Sequence, residues 1–243
     1  MIRYAFQWLM SLIFVIQMYL SILVVGVLYL PYAIISREGA LAASHAFCSW
    51  VLFSLRLLTG LKTEVRGVPP VTEALVAAKH QSFLDIIMIF DAVPRGKFIM
   101  KRELIYAPVL GWFALRMGCV PVNRGKRGAA IVKMIRDVKS GAQWAGQLII
   151  YSQGTRVAPG VKMPYKGGAA LLYKQLGQDC YPVATNVGVF WPKRGIYRKP
   201  GLAVIEFLPV ISAGLPNAAF MARLEAEVET ASDALCAEAG FKG

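Results

Sequence analysis

Cysteine is scarce in this sequence, and the four present, Cys48, Cys119, Cys180 and Cys236, stand far apart. No CxxC and no cysteine–histidine spacing of the zinc-binding kind occurs, so neither a disulfide framework nor a metal site is expected, and a reducing, cytoplasmic environment fits. No GxSxG elbow is there to present a nucleophilic serine. There is no internal repeat and no low-complexity tract. Acidic side chains are also few, 14 Asp and Glu against 27 Lys and Arg, for a formal net charge of +13.

The charge that is present is unevenly placed. Residues 1–61 hold only Arg3, Arg37, Arg56 and Glu38, whereas residues 62–214 hold 22 Lys or Arg against 8 Asp or Glu, and the tail from 215 is acidic. A positive field in a chain that is 56% hydrophobic points to an anionic membrane surface before nucleic acid. The aromatics follow no stacking-platform pattern, which argues against nucleic acid as well.

From Tyr4 to Ser36 formal charge is missing altogether, over 33 residues. About 20 such residues cross a bilayer core. The run is too long for the apolar core of a cleaved signal peptide and shows no convincing small-residue cleavage site. A weaker uncharged stretch, Gly39 to Ser54, follows and is ended by Arg56. The region from Pro31 to Glu38 reads as a break between two helices. The pair either crosses as a hairpin or lies partly inserted in one leaflet, and such sparse flanking charges do not decide orientation. Buried helices of a soluble protein are the competing reading.

From Gly60 the pattern changes to short apolar runs, at 74–79, 97–100, 147–152, 181–190 and 203–209, alternating with helical stretches. Helices are expected over 128–146, with Ile131, Ile135 and Val138 in register, and over 217–238, with Phe220, Leu224, Val228 and Leu235 on one face. The fold class is therefore α/β, a mixed sheet flanked by helices. Residues 1–59 form an apolar two-helix membrane anchor and residues 60–243 the second domain.

"AAKHQSFLDIIMIF" (77–90) sets His80 and Asp85 five apart in an otherwise apolar run. On one helix, five residues turn through about 500° and leave the side chains roughly 140° apart. They meet only if a strand ends at His80 and a helix starts near Ser82. Ser82 followed by Asp85 has the form of a capping box, which favours that geometry. One reading makes Asp85 a helix-start carboxylate favoured by the dipole and His80 a core histidine. The other makes His80 a general base whose second ring nitrogen is held by Asp85. With no serine elbow, such a base would activate a hydroxyl of the substrate.

Downstream, "KRELIYAPVLGWFALRMGCVPVNRG" (101–125) carries Lys101, Arg102, Arg116 and Arg124 among apolar residues. "YSQGTR" (151–156) puts Gly154, Thr155 and Arg156 just beyond a strand, where turn amides and a guanidinium suit a phosphate. "MPYKGGAALLYKQLG" (163–177) opens a helix with Lys166 and a glycine pair, a further candidate anion site.

These blocks, in this order, resemble the glycerolipid acyltransferases, specifically the PlsC-like 1-acylglycerol-3-phosphate O-acyltransferases. "HQSFLD" is similar to the HxxxxD motif. Lys101, Glu103, Leu104, Pro108, Gly111, Gly118 and Arg124 match a second block. Gly154, Thr155 and Arg156 match a third, usually FPEGTR, and "YPVA" at Tyr181 to Ala184 matches a fourth. The resemblance covers roughly residues 60–210. It implies a catalytic domain that moves a fatty acyl group from acyl-CoA or acyl-carrier protein to the sn-2 hydroxyl of lysophosphatidate, without metal or cofactor, giving phosphatidate at a bacterial inner membrane with the domain on the cytoplasmic face. His80 would be the base, Asp85 its orienter, and Lys101, Arg124, Gly154, Thr155 and Arg156 the acceptor's binding groups. A sister enzyme acting on lyso-ornithine lipid or another lysophospholipid, and a non-catalytic basic membrane-surface protein, are the alternatives. Lys79 stands where the family commonly has asparagine, Ser152 and Gln153 replace a Pro-Glu pair, and Val120 and Pro121 replace bulkier residues. Lys79 would either point away from His80, as strand neighbours do, or lie near its ring.

Overall fold

The computed structural model describes residues 2–122, 132, 135–136 and 144–242. The chain opens with two helices, α1 (Ile2–Ile35) and α2 (Arg37–Thr59), each long and apolar enough to cross a membrane. They fold back on each other. Gln17 near the middle of α1 donates to the Ser54 hydroxyl at 2.8 Å and accepts from the Trp50 indole at 2.7 Å. The anticipated break at Pro31 is narrower than the sequence suggests, because α1 runs through that proline and only Ser36 separates the helices. The helix continues four residues beyond Pro31, and Arg116 takes the Ala33 and Ile34 carbonyls of that last turn. Ser36 then caps α2, its hydroxyl accepting from Glu38 N at 3.1 Å.

Seven strands follow: β1 (Leu61–Arg66), β2 (Ala74–Ala78), β3 (Gly96–Lys101), β4 (Val120–Val122), β5 (Gln147–Tyr151), β6 (Cys180–Thr185) and β7 (Gly201–Phe207). They make one sheet in the order β1-β7-β6-β2-β5-β3-β4. β6, β2, β5, β3 and β4 run parallel, and β6 pairs antiparallel with β7, itself parallel to β1. The sheet is thus mixed, as expected. The run at 181–190 is a strand only to Thr185, after which Val187–Val189 form a 3-10 turn. β1 and the three-residue β4 are not evident from the sequence. The expected helix over 128–146 lies almost entirely outside the described residues.

Alternation along β2 divides the core. Val76 and Ala78 pack on the side of α1, α2 and α3 (Leu84–Ala92), while Leu75 and Ala77 pack on the side of α5 (Gly168–Leu176) and α6 (Asn217–Glu238). A strand covered on both faces must be apolar throughout, and every residue of β2 is buried. On α6 the expected face is the buried one: Phe220, Leu224, Val228 and Leu235. A fourth helix, α4 (Leu110–Arg116), joins β3 to β4 and packs against α1 and α2.

The layout fixes where chemistry can occur. In open sheets of parallel strands, ligands gather outside the carboxyl ends. β2, β3, β4 and β5 point those ends the same way, with Ala78 level with Tyr151 and Lys101 level with Val122.

Candidate active site

β2 ends at Ala78, and the chain reverses through Lys79–Phe83 into α3. That reversal brings His80 Nδ1 to 2.8 Å from Asp85 Oδ1. The other carboxylate oxygen accepts two backbone N–H groups, Gln81 N and Ser82 N, each at 2.8 Å. The capping box is therefore half built. The carboxylate returns to Ser82 as such a box requires, whereas the Ser82 hydroxyl accepts from Leu84 N at 3.2 Å rather than from Asp85. Asp85 is fully buried with both oxygens satisfied, and the imidazole keeps 13% of its side-chain surface exposed. With Nδ1–H donating to Asp85, Nε2 is left as the acceptor.

Tyr151, the last residue of β5, stacks on the His80 ring at 3.9 Å with 20° between planes, and Phe98 lies behind it at 6.2 Å. The stack covers one face of the imidazole. Burial first, and then the Asp85 charge, push the Tyr151 phenol well above its ordinary range, so it stays protonated. No sequence motif announced this contact; only the alignment of neighbouring strand ends produces it.

Of the other predicted residues, Lys101 ends β3 and Gly154, Thr155 and Arg156 follow β5, at the carboxyl ends of neighbouring strands. Beyond β5 the chain turns at Gly154, whose φ of 70° is left-handed and whose amide donates to Tyr151 O at 2.8 Å. Thr155 and Arg156 follow, and Val157 N donates to the His80 carbonyl at 2.8 Å, tying the GTR turn to the histidine. Lys101 ends β3, on the far side of β5, and its ammonium lies 3.3 Å from Glu103 in an exposed pair. Arg124 lies outside the described residues. Arg116 is placed elsewhere: its guanidinium donates to Ala33 O and Ile34 O, each at 3.1 Å, capping the end of α1. Among the described residues, no three His, Cys, Asp or Glu side chains gather as metal ligands would.

Lys79 points away from His80. Its ammonium, 2% exposed, pairs with Glu229 of α6 at 2.6 Å. Gln153, where the family has a carboxylate, is fully buried and donates to Met163 O at 3.1 Å.

The family model described as Acyltransferase matches residues 62–186. A 1-acyl-sn-glycerol-3-phosphate acyltransferase of Pseudomonas aeruginosa is 25% identical over 169 residues, 69% of this chain and 66% of that protein. The mouse 1-acyl-sn-glycerol-3-phosphate acyltransferase alpha is 28% identical over 168 residues, 67% of this chain and 59% of that protein. The chain thus spans less than two thirds of either relative. The crystal structure of the 1-acyl-sn-glycerophosphate (LPA) acyltransferase PlsC from Thermotoga maritima superposes with a TM-score of 0.80 at 20% identity, covering 96% of this chain and 98% of that one. That likeness is one of fold.

Proposed function

The chain belongs to the acyltransferase family, and on that premise we propose that it acylates the sn-2 hydroxyl of lysophosphatidate to give phosphatidate, from acyl-CoA or acyl-carrier protein. The observation that carries this reading is the His80–Asp85 contact at 2.8 Å, with the second ring nitrogen left to a substrate. His80 Nε2 takes the proton of the acceptor hydroxyl as its oxygen attacks the thioester carbonyl. The new C–O bond forms and the C–S bond breaks as the tetrahedral intermediate collapses, and the same nitrogen returns the proton to the departing sulfur. Asp85 holds the tautomer and stabilises the imidazolium between those two transfers. Such a placed base contributes about 10²–10⁴ in rate. Gly154, Thr155 and Arg156, with Lys101 and Arg124, bind the acceptor's phosphate.

The two N-terminal helices bring this site to its lipid. α1 is about 51 Å long by helical rise, against a bilayer core of about 30 Å. Near its start Gln7 donates to Thr59 O and Arg198 O at 2.8 and 2.9 Å, and near its end Arg116 donates to Ala33 O and Ile34 O. Both ends touch the same α/β domain, which supports a pair lying along one leaflet over a crossing hairpin. The exposed side chains of α1, including Leu23, Val27 and Leu28, are the ones that enter lipid. The membrane in question is the bacterial inner membrane, with the catalytic domain on its cytoplasmic face.

One observation favours a second acceptor class. Gln153 is an amide fixed to Met163 O where the family has a carboxylate, so a lyso-ornithine lipid or another lysophospholipid is the competing acceptor. Purified protein, a labelled thioester donor and a panel of lysolipids separate the two. Lysophosphatidate as the preferred acceptor supports the first reading; preference for an acceptor without a phosphomonoester overturns it.

A further inference from the structure

Lys166 belongs to none of the four blocks matched to the family, yet this candidate anion ligand stands against the GTR turn. A methyl carbon built on Gly154 would lie 3.2 Å from Lys166 Nζ and 3.3 Å from its Cδ, so this lysine lies across the glycine. Its side chain is exposed, and among the described residues no carboxylate pairs with it. Its backbone is fixed to the same loop, Lys166 N donating to Ser152 O at 2.9 Å.

The residue before it is held from the protein interior. The Tyr165 hydroxyl donates to Glu229 Oε1 at 2.9 Å, and Glu229 Oε2 takes the buried Lys79 ammonium at 2.6 Å. Burial, then the charge of Glu229, raise the Tyr165 phenol above its ordinary range, which keeps it a donor. Lys79 immediately precedes His80, and its amide donates to Val183 O at 3.0 Å. One carboxylate on α6 therefore joins the strand end that carries the base to the loop that carries Lys166.

We propose that Lys166 is a further cation of the acceptor-phosphate site and that the Lys79–Glu229–Tyr165 network is the positioning device that holds it over Gly154. This rests on the reading of the Gly154 turn as the place where a phosphorylated lysolipid binds. An ammonium lying across the turn offers a charge-assisted hydrogen bond to a phosphate oxygen. The network explains why a lysine is tolerated in the asparagine position. Its partner is supplied by α6, so the buried ammonium is not left as an uncompensated charge, the strongly destabilising case.

The test is steady-state kinetics of lysophosphatidate acylation for the parent, Lys166→Ala, Lys166→Arg, Tyr165→Phe and the paired change Lys79→Met with Glu229→Leu, each with its melting curve. Lys166→Ala is expected to raise the acceptor KM at least tenfold with the donor KM unchanged, and Lys166→Arg to recover most of that loss. Tyr165→Phe and the paired change, which leaves no lone buried charge, should each raise the acceptor KM several-fold while the acceptor kcat stays near the parent's. An acceptor KM unmoved in Lys166→Ala, or a donor KM rising in step, overturns the binding role. A loss in Lys166→Ala with parental KM in both network variants overturns the positioning role. A parent that acylates no phosphorylated lysolipid removes the underlying reading, and this proposal with it; a parent that acylates lysophosphatidate while the variants behave as the parent removes this proposal alone.

Discussion

Residue 85 shows how much one side chain can determine. Its carboxylate accepts from an imidazole and from two main-chain amides, so it closes the chain reversal and orients the His80 ring together. Asp85→Asn keeps the volume but sets an NH2 group against at least one of those donors. The expected result is a fall in kcat of at least about 10²-fold, from the wrong tautomer and a displaced ring, measured in the acyl-transfer assay on protein of parental fold. Arg156→Ala should act differently. Removing one charge-assisted contact raises the lysolipid KM by about tenfold or more and leaves the thioester KM alone, and equal changes in both would place Arg156 outside the phosphate site. At this scale the sequence was readable for His80 and Asp85, since only a strand-to-helix reversal lets residues five apart meet. It was silent on Tyr151, whose ring reaches His80 because β2 and β5 are neighbours, a fact of strand order. It left the direction of Lys79 open, because parity at a strand end depends on the residue at which the strand stops.

Among the elements, α1 lies close against the turn that enters α4. Pro108–Val109–Leu110 form a three-residue turn, with Leu110 N donating to Pro108 O at 2.7 Å and Val109 at φ 63°. Val109 is the one non-glycine among the described residues with positive φ, a conformation that a β-branched residue adopts only under restraint. The restraint is visible in Gly26, where an added Cβ would meet Val109 Cγ1 at 2.3 Å. Gly26→Ala is expected to cost about 1–3 kcal/mol through overpacking, read as a lowered melting temperature; an unchanged melting temperature would mean the two helices are not docked this way. On the opposite layer, Phe220 is fully buried and stacked on Tyr173 at 3.9 Å, so Phe220→Ala should cost about 3–5 kcal/mol. Helix α6 was legible to its end residues because its apolar spacing is regular. β1 was not, since "LKTEVR" borrows its order from pairing with β7 and has no apolar run of its own. The proline at 31 misled as well: α1 continues four residues beyond it, and tertiary contacts such as those of Arg116 with the Ala33 and Ile34 carbonyls hold that last turn.

Considered whole, the molecule is an α/β domain joined to two apolar helices, an arrangement that suits the proposed substrate, itself half lipid. Composition already indicated this, through the charge-free N-terminus and the basic middle of the chain. What composition could not supply was the path of α1, which is set by contacts at both its ends. Membrane attachment should be apolar in the main. Leu23, Val27 and Leu28 are 50, 68 and 70% exposed, and burying each in lipid contributes roughly 1.5–3 kcal/mol. The parent should float with phospholipid vesicles even in 1 M salt, where surface charge is screened within about 3 Å. A Leu23→Ser, Val27→Ser, Leu28→Ser variant should stay largely in the unbound fraction. Release of the parent by salt alone would make charge the anchor.

All of this converges on one imidazole, and a single comparison tests it: initial rates of labelled acyl transfer from thioester to lysophosphatidate by the parent and by His80→Ala, both verified as folded and vesicle-bound. We predict that the variant loses at least about 10²-fold in kcat while still binding vesicles like the parent. Turnover near the parental rate would contradict general-base catalysis at His80, whatever the fold and the family.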